Sequence, residues 1–225
     1  MAGDKKKGFW QMVVGKLNKL NWKRFRELVE KLIEFKSKIS RTPIRAESWE
    51  EVIYAVLIYM EYKVTWDPTS HAKGVDLEVK MNGENLMISA KGGKITNNRE
   101  LTLSSYRLTR FGTLPKMLEF LSKNAEELDV YLICAREEQQ ENLKYHIFKI
   151  LPEALVPKQA LGPQNWTENR QAWSLKTKVG FEASIVKKMS NQLWYTIPLD
   201  FPGLEKLTEK LSNVVDEFLC ILTYI

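Results

Sequence analysis

The chain has 225 residues, a net charge of +6 and a hydrophobic fraction of 44%. This length is enough to bury a substantial core and predicts one domain. No apolar run approaches the roughly 20 residues that cross a bilayer, which excludes a transmembrane helix. The positive charge suits a polyanionic partner such as nucleic acid but does not by itself establish one.

Cysteine and histidine usage excludes further classes. Cys134 and Cys220 each stand alone in apolar surroundings, which favours a reduced, cytoplasmic compartment over a disulfide scaffold. His71 and His146 are too few and too far apart to form a zinc site. Histidine-centred nucleases and the metal-finger nuclease families are therefore excluded.

Two helices are predicted before the first strand. Residues 17–38 carry apolar side chains at helical spacing. The lysines and arginines opposite them fit a solvated face, with DNA contact as the alternative. A second helix begins at Ser48-Trp49-Glu50-Glu51, where Ser48 and Glu51 form a capping box. Glu50 lies at the border of the apolar stripe of this helix.

Residues 75–91 predict a β-hairpin with an acid and a lysine on one face. Apolar and polar residues alternate on both sides of Asn82-Gly83, the strongest short signal for a hairpin turn. With that turn, residues whose numbers sum to 165 face each other. Asp76 then faces Ser89, and Lys91 lies diagonally from Asp76. A surface cross-strand ion pair is the simpler interpretation of this acid and lysine.

A helix followed by a hairpin with Asp76 and Ser89-Ala90-Lys91 resembles the PD-(D/E)XK nuclease superfamily. The core of that superfamily runs helix, strand, strand, strand, helix, strand, and the resemblance covers roughly residues 48–135. It implies an α/β fold with a mixed central sheet flanked by helices. Residues 1–45 would add a basic helical segment and residues 144–225 a β-rich elaboration, all within one nuclease domain spanning residues 1–225.

Two residues depart from the superfamily pattern. Val75 precedes Asp76 in place of a proline that is often absent in the superfamily, and Ser89 takes the place of the second acid, which matters more. Glu50 is the preferred replacement, because it lies at the border of the apolar stripe, whereas Glu51 lies opposite the stripe and has the capping role. The Trp49-Glu50 start also resembles the first helix of Holliday-junction resolvases and Mrr-like nucleases. Glu78 on the hairpin is the rival, and Glu50 also fits an ordinary acid in a first helical turn.

The resemblance implies a magnesium site. Asp76, Glu50 and the Ala90 carbonyl would hold Mg²⁺, with Glu78 as the alternative ligand; Mn²⁺ would substitute, and Ca²⁺ would support binding without cleavage. The metal would activate a water and neutralise charge on the phosphate. Lys91 would orient that water and stabilise the transition state, and Ser89 would contribute a hydrogen bond but no charge.

The segment after Lys91 is the predicted DNA-binding region. Ser104-Ser105-Tyr106-Arg107 resembles a short sequence motif found after the catalytic lysine in several type II restriction endonucleases. Arginine suits guanine, and serine and tyrosine suit phosphate oxygens. The alternative is an ordinary polar helix start or loop, and on a helix Arg107 and Arg110 would point to one side. The predicted DNA-binding residues are Lys94, Arg99, Ser104, Ser105, Tyr106, Arg107 and Arg110.

The remaining chain predicts two helices and four strands. A helix covers 114–128, a strand buried on both faces covers 130–135, another strand covers 144–151, and residues 152–170 form a loop. Residues 182–189 and 193–197 form a hairpin around Ser190-Asn191, and 204–222 form a closing amphipathic helix. The function implied is that of a homodimeric type II restriction endonuclease acting on double-stranded DNA away from membranes. A structure-specific or repair nuclease, or an inactive DNA-binding protein, is the alternative.

Overall fold

The computed structural model describes residues 13–39, 43–67, 74–81, 83–139, 142–155 and 161–212. These residues form a mixed sheet of eleven strands with helices on both faces. The helices are α1 (Trp22–Ile39), α2 (Ala46–Tyr59), α3 (Leu114–Glu127) and the short α4 (Pro152–Leu155), preceded by a helical segment at 13–18. The strands are β1 (Lys63–Trp66), β2 (Leu77–Met81), β3 (Glu84–Ile95), β4 (Glu100–Arg107), β5 (Val130–Gln139), β6 (Asn142–Ile150), β7 (Thr167–Glu168), β8 (Ala172–Lys176), β9 (Glu182–Val186), β10 (Gln192–Pro198) and β11 (Glu205–Ser212).

The sheet has the order β11-β6-β5-β3-β4-β10-β9-β8-β7, with β2 also paired to β3 and β1 paired to β2. β3 and β5 are parallel, whereas the other paired strands are antiparallel. A parallel pair requires a crossover connection, and the chain supplies it through β4 and α3. The predicted mixed sheet flanked by helices is therefore confirmed.

Two hydrophobic cores lie on opposite faces of the sheet. One contains the apolar sides of α1 and α2, and the other contains α3 and the inner faces of β8 to β10. β5 contributes to both, since Val130 and Leu132 face the first core and Tyr131 and Ile133 the second. This confirms the strand predicted to be buried on both faces.

The predicted hairpin and its register are also confirmed. Leu77 pairs with Ile88 and Val79 with Leu86, so the paired numbers sum to 165. Gly83 has a φ of +85°, the left-handed conformation that favours glycine in a tight turn. Asn82 lies outside the described residues.

The predicted capping box of α2 is wrong. The helix begins at Ala46 with Arg45 as its N-cap, and the Trp49 backbone N–H donates to the Arg45 carbonyl at 2.9 Å. Ser48 therefore lies within the first turn. The buried Trp49 indole donates to the Leu132 carbonyl at 3.0 Å, which attaches this turn of α2 to β5. Glu51 instead contacts Lys36 at 3.5 Å.

The helix or loop considered for the segment after Lys91 is replaced by a strand. Residues 100–107 form β4, which pairs with β3 and β10. Leu101 and Leu103 are buried and alternate with the half-buried Thr102 and Ser104, the period of two that defines a strand. Arg107 ends this strand and Arg110 belongs to a separate 3-10 turn, so they do not share a helix face.

The closing helix predicted from residue 204 is wrong over its described part. Residues 205–212 form β11, which pairs with β6, and residues 213–225 lie outside the described ranges. Leu204 and Leu207 have helical spacing, but Leu204 packs on one core and Leu207 on the other. Two side chains on opposite faces of a sheet cannot form the single apolar stripe of a helix.

Several other elements agree with the sequence. α3, β6 and the pairing of β9 with β10 are confirmed, with Ser190 and Asn191 both left-handed in the turn. The first strand of that hairpin is shorter than predicted, because residues 187–189 form a 3-10 turn. The helix predicted over 17–38 is interrupted at residues 19–21, between the helical segment 13–18 and α1. The predicted loop 152–170 contains α4, a 3-10 turn and β7, while β1 and β8 were not predicted. No helix in the described part of the chain is long and apolar enough to cross a membrane.

Candidate active site

β3 changes partner along one of its edges, and this exchange opens the sheet. Residues 84–88 pair with β2, whereas residues 93–95 pair with β4. The intervening residues 89–92 are here called the fork. β5 runs alongside the opposite edge from residue 88 to residue 94.

Hydrogen bonds place β2 and β4 on the same edge of β3. Ile88 O accepts from Asp76 N at 2.9 Å, and Lys94 O accepts from Thr102 Oγ1 at 3.1 Å. Backbone groups of even-numbered residues in a strand point to one edge. Met87 points to the other edge, where its carbonyl accepts from Asp129 N at 3.0 Å. The Asp76 segment and β4 therefore diverge at the fork.

The Asp76 carboxylate fills part of the fork. Its Oδ2 accepts hydrogen bonds from Ser89 Oγ at 2.9 Å, Ala90 N at 2.7 Å and Lys91 Nζ at 3.1 Å. β2 begins only at Leu77, so the carboxylate supplies the acceptor that a strand would give to Ala90 N. This satisfies a backbone donor inside the sheet and fixes the carboxylate.

Lys91 lies between two oxygen atoms of the fork. Its Nζ donates to Asp76 Oδ2 and also to Ala90 O at 3.0 Å. The side chains of Lys91 and Asp76 are 14% and 18% exposed, so solvent reaches the pair only in part. The ammonium thus occupies the space between the carboxylate and the carbonyl that the superfamily resemblance assigned to a metal ion.

A buried polar network lies beside this ion pair. Tyr106 donates its hydroxyl hydrogen to Asn124 Oδ1 and lies 3.1 Å from the Tyr131 hydroxyl. Burial is the main cause that raises the pKa of Tyr106 well above its ordinary value, and the phenols of Tyr131 and Tyr195 and the Asp76 carboxylate raise it further. Burial also raises the pKa of Tyr131 to about 12. Both hydroxyls therefore stay protonated and act as hydrogen-bond donors.

A β-bulge in β4 directs Tyr106 towards Asn124. Ser104 pairs with Trp194 and Arg107 with Gln192, so two residues of β4 oppose one residue of β10. The extra residue changes which face of the sheet the following side chain points to. The Gln192 side chain stabilises the bulge through two hydrogen bonds. Its Nε2 donates to Ser105 O at 3.1 Å, and its Oε1 accepts from Arg107 Nε at 3.3 Å.

The two candidate second acids have other partners. Glu50 accepts from Trp66 Nε1 at 3.4 Å, and Trp66 pairs with Leu77, so Glu50 lies at the Asp76 end of the sheet on the α2 side. Glu78 accepts from Asn85 Nδ2 at 2.6 Å, on the side of the hairpin turn. Within the described ranges, no three His, Cys, Asp or Glu side chains are grouped as a metal site.

The residues predicted to bind DNA are divided by the fold. Arg99 lies in the β3–β4 turn, eight residues from Arg107 along the chain, roughly 26 Å for an extended strand. Lys94 pairs with Glu138 at 3.0 Å on the exposed surface.

Only part of the Ser104-Ser105-Tyr106-Arg107 motif is exposed near the fork. Ser105 Oγ is buried and has no hydrogen-bond partner among the described residues, and the Tyr106 hydroxyl points inward. Ser104 is half-buried opposite Trp194. Arg107 is exposed, and the Arg110 guanidinium lies over the Phe111 and Phe120 rings.

Sequence reasoning did not single out Asn124, Tyr131 or Gln192. Asn124 carries a usable signal, because it is the polar member of the buried stripe of α3. Its companions in that stripe are Met117, Leu118 and Leu121. A buried amide at helical spacing needs a specific partner, and that partner is Tyr106.

Similarity to known proteins does not identify the site. No protein-family model matches the chain, and a search of curated proteins gives no match. A functional proposal for this chain therefore depends on the chemistry of the fork.

Proposed function

We propose that this chain is a Mg²⁺-dependent endonuclease that cleaves double-stranded DNA, a member of the PD-(D/E)XK superfamily most like type II restriction enzymes. One observation carries the proposal: Lys91 Nζ contacts both Asp76 Oδ2 and Ala90 O at the fork. An acid, a backbone carbonyl and a lysine converge there at an opening in the sheet.

The order of elements supports the same proposal. α2, β2, β3, β4, α3 and β5 follow the sequence helix, strand, strand, strand, helix, strand, with β1 as an addition. Asp76 immediately precedes the first of these strands, and Lys91 lies on the second. The contact between Lys91 and Asp76 supports the assignment of these two residues as the acid and the lysine of the site.

The oxygen atoms of the fork fit a hard divalent cation. Asp76 and the Ala90 carbonyl would hold Mg²⁺, and Glu50 would supply a second carboxylate, with Glu78 as the alternative. A bound Mg²⁺ would act as a Lewis acid that lowers the pKa of a water and offsets charge on the phosphate. The two fork oxygens already accept hydrogen bonds from the Lys91 ammonium, which supports their use by a cation.

The surrounding side chains prepare the fork for phosphodiester chemistry. Ser89 Oγ and Ala90 N hold one carboxylate oxygen of Asp76, which fixes the carboxylate without adding charge. The Lys91 ammonium supplies a positive group for a phosphate oxygen as negative charge develops on it. Two copies of the fork would be needed to cut both strands of a duplex in one binding event, so we include a homodimer in the proposal.

Digestion of a mapped phage genome with Mg²⁺ tests the proposal. Discrete fragments are expected for a restriction enzyme, whereas a smear would indicate a structure-specific or repair nuclease. Asp76→Asn and Lys91→Ala should each abolish cleavage while duplex binding in Ca²⁺ is retained, since they act on chemistry and not on the DNA groove. If the wild type binds DNA but shows no metal-dependent cleavage, the result would favour the alternative that Ser89 suggests, an inactive DNA-binding protein.

A further inference from the structure

The segment that carries Asp76 rests directly on α3. A Cβ atom placed on Gly74 would lie 2.2 Å from Asn124 Nδ2 and 2.5 Å from Asn124 Oδ1. Real Cβ atoms do not approach other atoms so closely. The backbone of residue 74 therefore occupies a place that only glycine allows while Asn124 keeps its position.

Asn124 is held in that position from the other side. It is 5% exposed, and its Oδ1 accepts the hydroxyl hydrogen of Tyr106. Because Tyr106 donates to Asn124, the Tyr131 hydroxyl at 3.1 Å donates to Tyr106. A different Asn124 rotamer would leave buried polar atoms unsatisfied, which costs about 1–3 kcal/mol for each group.

The same network supports the lysine of the site. Lys91 Nζ lies 5.9 Å from the centroid of the Tyr106 ring, within the range of a cation–π contact. Tyr106 also packs edge-on against Phe120 of α3, with ring centroids 5.4 Å apart. Asn124 thus touches the Asp76 segment through Gly74 and reaches Lys91 through Tyr106.

We propose that Asn124 is a positioning residue for the fork, acting through Gly74 on Asp76 and through Tyr106 on Lys91. This inference rests on the proposed nuclease function for its effect on catalysis. Asn124 contacts neither substrate nor metal in this scheme, so its removal changes turnover and not the affinity for DNA. A residue that serves only core packing would change stability alone.

The contact between Gly74 and Asn124 allows a reciprocal test. Gly74→Ala should lower kcat on DNA on the order of 100-fold with little change in KM, the cost of misplacing a reacting group by about 1 Å. In an Asn124→Ala background the obstructing amide is absent, so adding Gly74→Ala should cause little further loss. Gly15→Ala is the matched control, because a Cβ there meets nothing within 4 Å.

A second measurement does not depend on cleavage. The rate of acylation of the Lys91 amine, measured by mass spectrometry relative to the exposed Lys176, should rise in Gly74→Ala and in Asn124→Ala as Lys91 loses its support. Tyr106→Phe keeps the ring but releases Asn124, and should give a smaller rise. Thermal unfolding of each variant identifies those that fold. If Gly74→Ala does not fold, Tyr106→Phe provides the test.

The outcomes separate the two proposals. Faster Lys91 acylation in the variants, with no cleavage by the wild type, would support the positioning inference and overturn the nuclease proposal. Unchanged kcat and unchanged Lys91 acylation in folded Gly74→Ala and Tyr106→Phe would overturn the positioning inference. Equal losses from Gly74→Ala in the presence and absence of the Asn124 amide would also overturn it.

Discussion

At the scale of single residues, Lys91 and a metal ion would compete for the same two oxygen atoms. The ammonium donates to Asp76 Oδ2 at 3.1 Å and to Ala90 O at 3.0 Å. Two cations this close in a partly closed site repel each other strongly. A metal ion bound to these oxygen atoms would therefore move the ammonium away from Asp76 and release it towards a phosphate oxygen.

This competition predicts that Lys91→Met binds Ca²⁺ more tightly than the wild type. We expect a gain of roughly tenfold, equivalent to about 1.4 kcal/mol, because the resident cation is removed. Isothermal titration with Ca²⁺ in the absence of DNA measures it, with Lys94→Met as the control for lost surface charge. Weaker Ca²⁺ binding by Lys91→Met would show that the ammonium and the metal use different places.

The source of the second carboxylate is a separate residue-scale prediction. Glu50 lies at the Asp76 end of the sheet, whereas Glu78 is engaged by Asn85. Glu50→Gln should therefore be severely impaired in Mg²⁺-dependent cleavage and Glu78→Gln nearly unaffected, with the exposed Glu51→Gln as control. Active Glu50→Gln and inactive Glu78→Gln would assign the ligand to β2.

At the scale of elements, the bulge in β4 controls the side chains next to the fork. It turns Tyr106 inward and leaves Arg107 exposed at the end of the strand, held by Gln192 Oε1 at 3.3 Å. A guanidinium fixed at one end loses less conformational entropy when it binds. Arg107 is thus a better candidate for base reading than Arg99 in the distant turn.

Arg107→Ala should cost ~1–3 kcal/mol of binding on the cognate duplex and little on a scrambled one. Sequencing the ends of cleaved phage fragments supplies the cognate site, and binding is measured in Ca²⁺ at two salt concentrations. Gln192→Ala should weaken cognate binding less, since it only releases Arg107. An equal loss on both duplexes, with a flatter salt dependence, would make Arg107 a phosphate contact.

β11 illustrates how an edge strand is attached through charged side chains. Glu209 contacts Lys144 Nζ at 2.7 Å, Lys206 on its own strand, and His146 Nδ1 at 3.4 Å. Hydrogen bonds from Lys144 and then Lys206 lower the pKa of Glu209 from its ordinary 4.5 to about 2. Burial is the main cause that lowers the pKa of His146, partly opposed by Glu137.

The attachment of β11 should weaken in acid. Because the folded-state pKa of Glu209 is depressed, its contribution to stability is present above pH 4.5 and disappears as the pH falls towards 2. Amide hydrogen exchange of β11 at neutral pH and at about pH 3 tests this. Glu209→Gln should flatten the pH dependence, with Glu205→Gln as the control for one charge lost from β11. If the pH dependence of hydrogen exchange in β11 is the same in Glu209→Gln as in the wild type, Glu209 is not the group that weakens β11 in acid.

At the scale of the whole molecule, one buried ion pair joins the N-terminal segment to the centre of the sheet. Lys16 Nζ lies 3.0 Å from Asp129 Oδ1, with side chains 13% and 4% exposed. Asp129 also accepts from Met87 N at 2.8 Å. The helical segment 13–18 is thereby attached beside β3, which contains the fork, and beside β5, which pairs with β3 along it.

Lys16→Met should therefore destabilise the protein by about 3 kcal/mol, because it leaves the Asp129 carboxylate buried and unpaired. Lys19→Met is the matched control: its partner Glu84 lies 2.6 Å away but both side chains are exposed, so the cost should stay below about 1 kcal/mol. Urea unfolding measures both. Similar midpoints for the two variants would indicate that solvent reaches Asp129 once Lys16 is lost.

The sequence by itself determined the elements whose signals are local. The period of two around Asn82-Gly83 was enough to set the hairpin and its register, and with it the contact of Asp76 with Lys91. The apolar run from residue 130 identified a strand buried on both faces, and helical spacing identified α3. These patterns succeed because each depends on neighbours a few residues away.

Tertiary structure decided the rest, because those choices depend on what lies across the sheet. The apolar residues within 205–212 have helical spacing, yet this segment pairs with the edge of β6 and forms a strand. The bulge that directs Tyr106 to Asn124 depends on pairing between β4 and β10, more than 80 residues apart in the chain. The fork itself exists because β2 and β4 share one edge of β3, which no local pattern encodes.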